Sequence, residues 1–393
     1  MTSFQKDIFS LIKSALDGSA AEISEDFDWQ SALDCGYKSK ILPLLYYGAY
    51  NSEIKIPADI DTEFQTATIK YLMQNEQQLY EFKCISDRFE EEKIKYVPLK
   101  GILQKKLYPK PEMRPMGDID ILIDKSEQYD KIRRIMSELG YIAEKESDHE
   151  LVWIKNRIMI ELHKRLIPSY NQDYYKYFGD GWGLVHKADP NSTRYVFTPE
   201  NNFIYLFTHF AKHYRDAGIG ILHLTDLYVF LNANKNLDRR YIRAELKKLE
   251  LFEFSANIEA TIDVCFKNAP DTELTDFIID KIFGSGCYGL AKSHAVSVAL
   301  KKTKGVKNKK LIHETYLLKR IFMPYKEMCR RDPILIKLPF LLPFFWVYRI
   351  ISLLFKKKNM KSEIAKLKTV DADTVTDYYN DLKYVGLDFD FKE

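Results

Sequence analysis

The chain has 393 residues, of which 46% are hydrophobic, which is enough for a sizeable core and for two or three domains of about 150 residues each. Its 59 Lys and Arg residues against 56 Asp and Glu leave a net charge of +3, which excludes bulk polyanion binding and leaves nucleic-acid or membrane affinity to local patches. Five scattered cysteines without a CxxC exclude a disulfide scaffold and a cysteine-rich zinc module. With an amphipathic N-terminus and no uncharged apolar run of about 18 residues, we expect a cytoplasmic protein.

Helical patterning covers residues 1–93. Its clearest part is 58–92, which lacks Gly and Pro and carries an apolar stripe at helical spacing. The periodicity then changes, because 95–99 is short and β-like and ends at the dipeptide Lys100-Gly101. We therefore expect a helical N-terminal region that gives way to a different architecture near residue 94.

Strand and helix patterns alternate in the next part of the chain. The run Asp118–Ile123 alternates polar and apolar residues, which predicts a strand. Ser126 can cap a helix that ends before Gly140. Three further strands are expected at 141–145, 151–155 and 158–164. This order predicts an α+β unit with a small mixed sheet.

The remainder of the chain reads as helical to about residue 330, from a helix that starts at Thr198 with Pro199 in its first position. The most apolar stretch is 334–358, where a Trp-containing apolar face borders a basic edge. This pattern suits either a helix lying in a membrane interface or a helix of a core or subunit interface. The polar tail 359–393 is expected to pack back on a domain.

The expected fold class is therefore α+β, with a small mixed-sheet core flanked by helical N-terminal and C-terminal regions. The chemistry is expected in the cleft between the core and the helices that follow it. The predicted units are a helical N-terminal region 1–93, an α+β core 94–197, a helical domain 198–330, and an apolar and basic segment with a C-terminal tail 331–393.

A pair of carboxylates opens the first strong strand. Because side chains alternate along a strand, Asp118 and Asp120 point to the same face. Adjacent carboxylates repel each other unless a cation neutralises them, and their hard oxygens suit Mg²⁺ or Mn²⁺. The chain contains five DxD pairs, but only this one follows a glycine, Gly117, and opens an aliphatic strand.

A third carboxylate, Glu161, lies in the predicted strand 158–164. There Glu161 and His163 face away from the neighbouring apolar residues. A short meander can bring Glu161 beside Asp118 and Asp120. Three carboxylates can hold two divalent ions, which bind a triphosphate and stabilise the attacking and leaving oxygens of a phosphoryl-type displacement.

Basic groups upstream of the strand fit an anionic substrate. The Lys100-Gly101 turn can present backbone N–H groups to a phosphate. Arg114, four residues before Asp118, can reach the same phosphates with its planar guanidinium.

Together these motifs resemble a largely uncharacterised family of bacterial nucleotidyltransferases in the polymerase-β-like superfamily, whose members often accompany polysaccharide-biosynthesis proteins. Two later helical motifs are also similar to the helical half of that family. The resemblance is carried by Tyr96-Val97-Pro98-Leu99-Lys100-Gly101, Tyr108-Pro109, Arg114 to Asp120, Ile160-Glu161-Leu162-His163, the segment 206–213, and Leu224-Thr225-Asp226.

The resemblance implies transfer of a nucleoside monophosphate from an NTP to a hydroxyl acceptor with release of pyrophosphate, and it makes 94–197 the nucleotidyltransferase core. It implies Mg²⁺ or Mn²⁺ as the cofactor. The acceptor stays open among a sugar, a small metabolite, RNA and a protein side chain. The implied metal ligands and catalytic residues are Asp118, Asp120 and Glu161, and the implied nucleotide-binding residues are Lys100, Gly101, Arg114 and Gly117.

Histidines provide a second possible chemistry. His209 and His213 are four residues apart and share a helix face, with His223 and Asp226 further along. This set fits a zinc site, substrate-lining residues or a structural role. His163 fits either a position behind the metal ligands or an ordinary polar strand residue.

Three rival functions remain at this stage. A DxD-dependent glycosyltransferase needs several strands before the motif, and the helical 1–93 counts against it. A non-catalytic nucleotide-binding scaffold could dock on a membrane through 334–358. A toxin-like enzyme could nucleotidylate tRNA or protein.

Overall fold

Helices form the N-terminal region, as predicted. The computed structural model describes residues 1–124, 128–169, 171–286, 296–297, 315, 318, 322–355 and 372–387. The first helices are α1 (Ser3–Asp17), α2 (Trp29–Ser39), α3 (Leu42–Asn51) and α4 (Ala58–Glu91). Thr2 starts α1 with a capping box, in which its hydroxyl accepts from the Gln5 backbone N–H and the Gln5 side chain accepts from the Thr2 N–H.

Within the described part of the chain, five strands form one mixed sheet in the order β1-β2-β5-β4-β3. β2 and β5 are parallel neighbours at its centre, and the other pairs are antiparallel. The strands are β1 (Tyr96–Pro98), β2 (Asp118–Ile123), β3 (Ile142–Glu146), β4 (Glu150–Lys155) and β5 (Ile158–His163). These bounds lie within two residues of the sequence expectation, and the mixed sheet confirms the α+β class.

The two faces of the sheet have different roles. Ile119, Ile121 and Ile123 point to one face, where they pack with the C-terminal half of α4 and with helix α6 (Tyr129–Glu138). A short helix, α5 (Gly101–Gln104), follows β1. The predicted cap of α6 at Ser126 lies outside the described residues. The opposite face carries the acidic side chains and looks toward the C-terminal helices.

Helix α8 (Pro199–Asp216) begins as predicted, because the Thr198 side chain accepts from the Asn201 N–H and Pro199 takes the first helical position. Before it, helix α7 and a two-stranded hairpin occupy a stretch for which the sequence predicted no elements. The elements are α7 (Gln172–Phe178), β6 (Val185–Lys187), β7 (Tyr195–Phe197), α9 (Ile221–Ala233), α10 (Arg239–Lys248), α11 (Phe252–Lys267) and α12 (Glu273–Ser285).

One large hydrophobic core joins the N-terminal helices to the C-terminal helices. Phe9 of α1 meets Phe266 of α11 edge to face, with ring centroids 5.3 Å apart. The last described helix, α16 (Ala372–Tyr384), returns to this core, and its Tyr378 hydroxyl donates to the Arg215 carbonyl. The tail therefore packs back over the part that the structure describes.

The apolar segment that begins at 334 forms α14 (Ile334–Lys337) and α15 (Leu342–Phe355), after α13 (Tyr325–Arg331). On α15 an apolar stripe with i, i+3, i+4, i+7 spacing faces outward, whereas Arg349 is only 7% exposed. The stripe consists of Phe344, Val347, Tyr348 and Ile351. None of the helices in the described ranges has both the length and the apolar character required to span a bilayer.

The contact between α1 and α3 depends on Gly48. A Cβ atom at this position would stand 2.0 Å from the Leu11 carbonyl oxygen. We expect Gly48→Ala to lower the free energy of unfolding by about 1–3 kcal/mol, because two helix backbones must move apart. Urea denaturation measures this.

Gly284 is the matched control, because it is also helical but a Cβ atom added there would have nothing within 4 Å. Gly284→Ala should leave stability unchanged or raise it by up to about 1 kcal/mol, through helix propensity. Equal effects of the two substitutions would contradict the close approach at Gly48.

Candidate active site

The carboxylates that the sequence singled out meet on one face of the sheet. In the parallel ladder between β2 and β5, Asp120 is the register partner of Glu161, and Asp118 is the partner of Met159. Potential ligand atoms of Asp120, Glu161 and His163 lie within 4.8 Å of one another. Asp118 lines the same cavity. The meander thus brings Glu161 beside the aspartate pair, as we expected from the alternation of 158–164.

Lys100 lies beside the buried member of this pair. Its Nζ is 2.8 Å from Oδ1 of Asp120, whose side chain is 6% exposed. The Lys100 backbone has φ of +45°, a value that costs energy for a non-glycine residue and must be held by its surroundings. The next residue, Gly101, has no room for a side chain, since a Cβ there would lie 2.6 Å from Met116 Sδ.

His163 contacts the same carboxylate oxygen from the other side. Its Nε2 is 2.6 Å from Asp120 Oδ1 and 3.6 Å from Glu161 Oε2. Its other ring nitrogen, Nδ1, is 3.3 Å from Nε2 of His149. The sequence left His163 open between two roles, and in the structure it is a buried residue in direct contact with the carboxylates.

Burial and neighbouring charges shift the pKa values of the three carboxylates in different directions. Burial alone would raise the pKa of Asp120, but the Lys100 ammonium and the His163 hydrogen bond hold it well below the usual range. Burial and the neighbouring Asp120 charge raise the pKa of Asp118. Burial, followed by the charges of Asp118 and Asp120, raises the pKa of Glu161 to about 7. Close carboxylates of this kind favour a bound cation.

Arg114 is oriented by Asp226. Its guanidinium donates to both carboxylate oxygens, with Nη2 2.8 Å from Oδ2 and Nε 3.1 Å from Oδ1. The Tyr108 hydroxyl donates to the same Oδ1 at 2.8 Å. Arg114 lines the cavity, so this buried ion pair joins the loop before β2 to helix α9. The sequence predicted both residues for the site but not their pairing.

The opposite wall of the cavity carries the predicted histidines. The Nε2 atoms of His209 and His213 are 3.0 Å apart, and the ring of His223 lies beyond His213. Burial lowers the pKa of His213 to about 3, so its ring is neutral at pH 7. Among the described residues, neither His209 nor His213 belongs to a group of three potential metal ligands.

Except for Asp226 and Tyr108, which hold Arg114 from behind, the side chains described above line one cavity of about 480 Å³. Among the residues that sequence reasoning missed, four carry charged or imidazole side chains: Lys40, Lys212, His149 and Glu150. No local pattern marks them, because the tertiary fold alone brings together a helix end, a helix surface, a turn and the first residue of β4. A larger cavity of about 640 Å³ lies between α10 and α11, and none of the predicted site residues line it.

A mixed sheet with two aspartates on one central strand and a glutamate on the next, facing a wall of helices, is the arrangement expected of a nucleotidyltransferase. The chain belongs to the family described as "Uncharacterised nucleotidyltransferase", whose model matches residues 25–266. That range includes every site residue named above. No curated protein and no solved structure matches the chain.

Glu161 should make stability depend on pH. The fold raises its pKa from 4.5 to about 7, so between these values the folded chain holds a proton that the unfolded chain has lost. The free energy of unfolding therefore falls as the pH rises through this window. Glu161→Gln should remove up to about 3 kcal/mol of that fall. Urea denaturation in EDTA from about pH 4.5 to about pH 7.5 measures it.

Glu144→Gln is the control, because Glu144 is an exposed glutamate on β3 of the same sheet. Its stability profile should run parallel to that of the wild type. The assignment of this titration to Glu161 fails if the Glu161→Gln profile also runs parallel to the wild type.

Proposed function

We propose that this nucleotidyltransferase moves a nucleoside monophosphate from an NTP to a hydroxyl acceptor and releases pyrophosphate. The observation that carries the proposal is the pairing of Asp120 with Glu161 across two central parallel strands, with Asp118 on the same face. The catalytic unit would be the core 94–197, closed on one side by the helices of 198–330. A cytoplasmic location fits the use of an NTP.

The residues present fit a divalent cation, Mg²⁺ or Mn²⁺. Asp118, Asp120 and Glu161 would hold it through hard oxygen ligands. Burial, and after it the neighbouring carboxylate charges, raise the pKa values of Asp118 and Glu161, and a cation would offset both effects. When bound, the metal would offset the charge of the triphosphate and of the transferring phosphoryl group.

The other residues would bind and orient the substrate. Lys100 and Arg114 are cations on the cavity wall and would bind phosphate oxygens, with Arg114 kept in its orientation by Asp226. Gly101 and Gly117 would let the backbone approach the phosphates. Positive charge close to the transferred group stabilises the charge that develops in the transition state.

Glu161 would act as the general base. One of its carboxylate oxygens would bind the cation, and the other would accept the proton of the acceptor hydroxyl. The acceptor oxygen would bond to the α-phosphorus as the bond to the bridging oxygen breaks. The acceptor proton would pass to Glu161, and pyrophosphate would leave with the electron pair of the broken bond.

The acceptor would enter beside the wall that carries His209 and His213, whose neutral imidazoles can hydrogen-bond to a hydroxyl compound. A sugar acceptor and a role in bacterial polysaccharide biosynthesis are supported by the family resemblance of the sequence motifs. A small metabolite, RNA or a protein side chain are the other acceptors that the assay must include.

Asp118→Asn should reduce nucleotide transfer about a thousandfold or more, a loss of about 4 kcal/mol of transition-state stabilisation. Release of labelled pyrophosphate from each NTP, with Mg²⁺ or Mn²⁺ and a panel of acceptors, measures it. Asp124→Asn is the matched control, since Asp124 follows the same strand but does not line the cavity. Transfer of sugar from a sugar nucleotide, without use of any NTP, would instead establish the glycosyltransferase.

We further propose that α15 docks the enzyme on a membrane surface. Its outward stripe places Phe344, 70% exposed, in line with Val347, Tyr348 and Ile351. The sequence follows this helix with Lys356-Lys357-Lys358, which lie outside the described residues. An apolar helix face that is followed in the sequence by a basic cluster suits the interface of a bilayer with anionic lipid.

Phe344→Glu with Ile351→Glu should lower binding to vesicles of phosphatidylcholine and phosphatidylglycerol at least about a hundredfold, since each side chain contributes about 1.5–3 kcal/mol on burial. Cosedimentation measures this. Ile69→Glu with Met73→Glu alters a similarly exposed pair on α4 and should leave binding unchanged. If the wild type does not bind vesicles but forms a dimer, and Phe344→Glu with Ile351→Glu disrupts that dimer, the stripe is a subunit interface instead.

A further inference from the structure

A second group of potential ligands lies behind Asp120, in a corner that the proposed reaction does not use. His149 ends the turn between β3 and β4, Glu150 begins β4, and His163 ends β5. Glu150 and His163 are register partners across the antiparallel β4–β5 pair. Ligand atoms of the three residues lie within 4.8 Å of one another, and all three line the cavity.

The hydrogen bond to Asp120 fixes the tautomer of His163, so that the nitrogen facing this corner carries a lone pair. An ionised carboxylate only accepts hydrogen bonds, so Nε2 of His163, 2.6 Å from Asp120 Oδ1, carries the proton. In the neutral ring Nδ1 is then bare, and it points at His149 Nε2. A histidine that binds a metal through one nitrogen and donates the other N–H to a carboxylate is the usual arrangement at protein metal sites.

The spacing of the nitrogens matches shared coordination. Two imidazole nitrogens bound tetrahedrally to Zn²⁺, each at about 2.0–2.1 Å, stand about 3.3 Å apart. The distance from His163 Nδ1 to His149 Nε2 is 3.3 Å. Glu150 adds an oxygen, with Oε2 3.8 Å from His149 Nε2. Two imidazoles and one carboxylate would leave a fourth coordination position for a further ligand.

We propose that His149, Glu150 and His163 form a binding site for a transition-metal ion of the Zn²⁺ class, separate from the Mg²⁺ or Mn²⁺ ligands. Imidazole nitrogen favours Zn²⁺ and its neighbours over Mg²⁺. The alternative group of Asp120, Glu161 and His163 needs a lone pair on Nε2 of His163, which the hydrogen bond to Asp120 occupies. The ion would fix the His163 ring and so position Asp120.

The test is a metal titration of the full chain after EDTA treatment, with Co²⁺ as the spectroscopic probe and Zn²⁺ as its competitor. The expected wild-type result is one Co²⁺ per chain with the intense visible absorption of a four-coordinate site, displaced by Zn²⁺. His149→Asn and Glu150→Gln should each weaken Zn²⁺ affinity by about a hundredfold or more. Unfolding in EDTA shows whether each variant is folded.

Three controls identify the site independently of catalysis. His186→Asn removes an exposed histidine on β6 and should change nothing. Asp118→Asn should keep the Co²⁺ spectrum while it abolishes nucleotide transfer, so failure of the proposed function and failure of this site are distinguishable. His209→Asn should also keep the spectrum.

If His209→Asn loses the Co²⁺ spectrum and His149→Asn keeps it, the ion binds at the opposite wall of the cavity, and the proposal is overturned. The absence of a four-coordinate Co²⁺ signal from the wild-type protein would overturn it as well. That measurement does not depend on whether the variants fold.

Discussion

The ionised carboxylate of Asp120 is the constraint around which the rest of the site is arranged. Its side chain is 6% exposed, and a charge removed from water to this extent is stable only when it is paired and hydrogen-bonded. Lys100 and His163 provide the pairing from two different strand ends. The unfavourable backbone of Lys100 fits this requirement, because the ammonium must reach the carboxylate from a tight turn. The lack of room at the next residue, Gly101, comes from the side chains of Met116 and Arg114.

Long-range contacts hold the remaining parts of the cavity in place. Gln78 of α4 donates to the Met116 carbonyl at 3.0 Å, which fixes the loop that leads into β2. The ion pair of Arg114 with Asp226 fixes the same loop to α9. One wall of the cavity thus rests on the core under the sheet, and the other rests on the larger core that joins the two ends of the chain. The site lies where two independently packed layers meet.

Local sequence patterns were sufficient to predict a large part of this structure. The alternation of Asp118–Ile123 predicted the strand and the shared face of its aspartates, and the Thr198-Pro199 pair predicted the start of α8, because both signals act over a few residues. The pairing of Arg114 with Asp226 joins residues 112 positions apart, and no local pattern contains it. His149 was missed for the same reason, since its position beside His163 depends on the register between two strands. The hairpin β6–β7 is short and lacks a strong alternation.

The parallel register of β5 against β2 determines both the packing of the core and the assembly of the site. A slip of one residue would exchange the faces of the whole strand. Glu161 and His163 would enter the core, and Ile160 and Leu162, both now fully buried, would face the cavity. The hydrogen-bond ladder that assembles the carboxylates is therefore the same ladder that buries the apolar face. A chain with an intact core has an assembled cavity floor, so loss of function with retained stability must arise from side-chain chemistry rather than from misaligned strands.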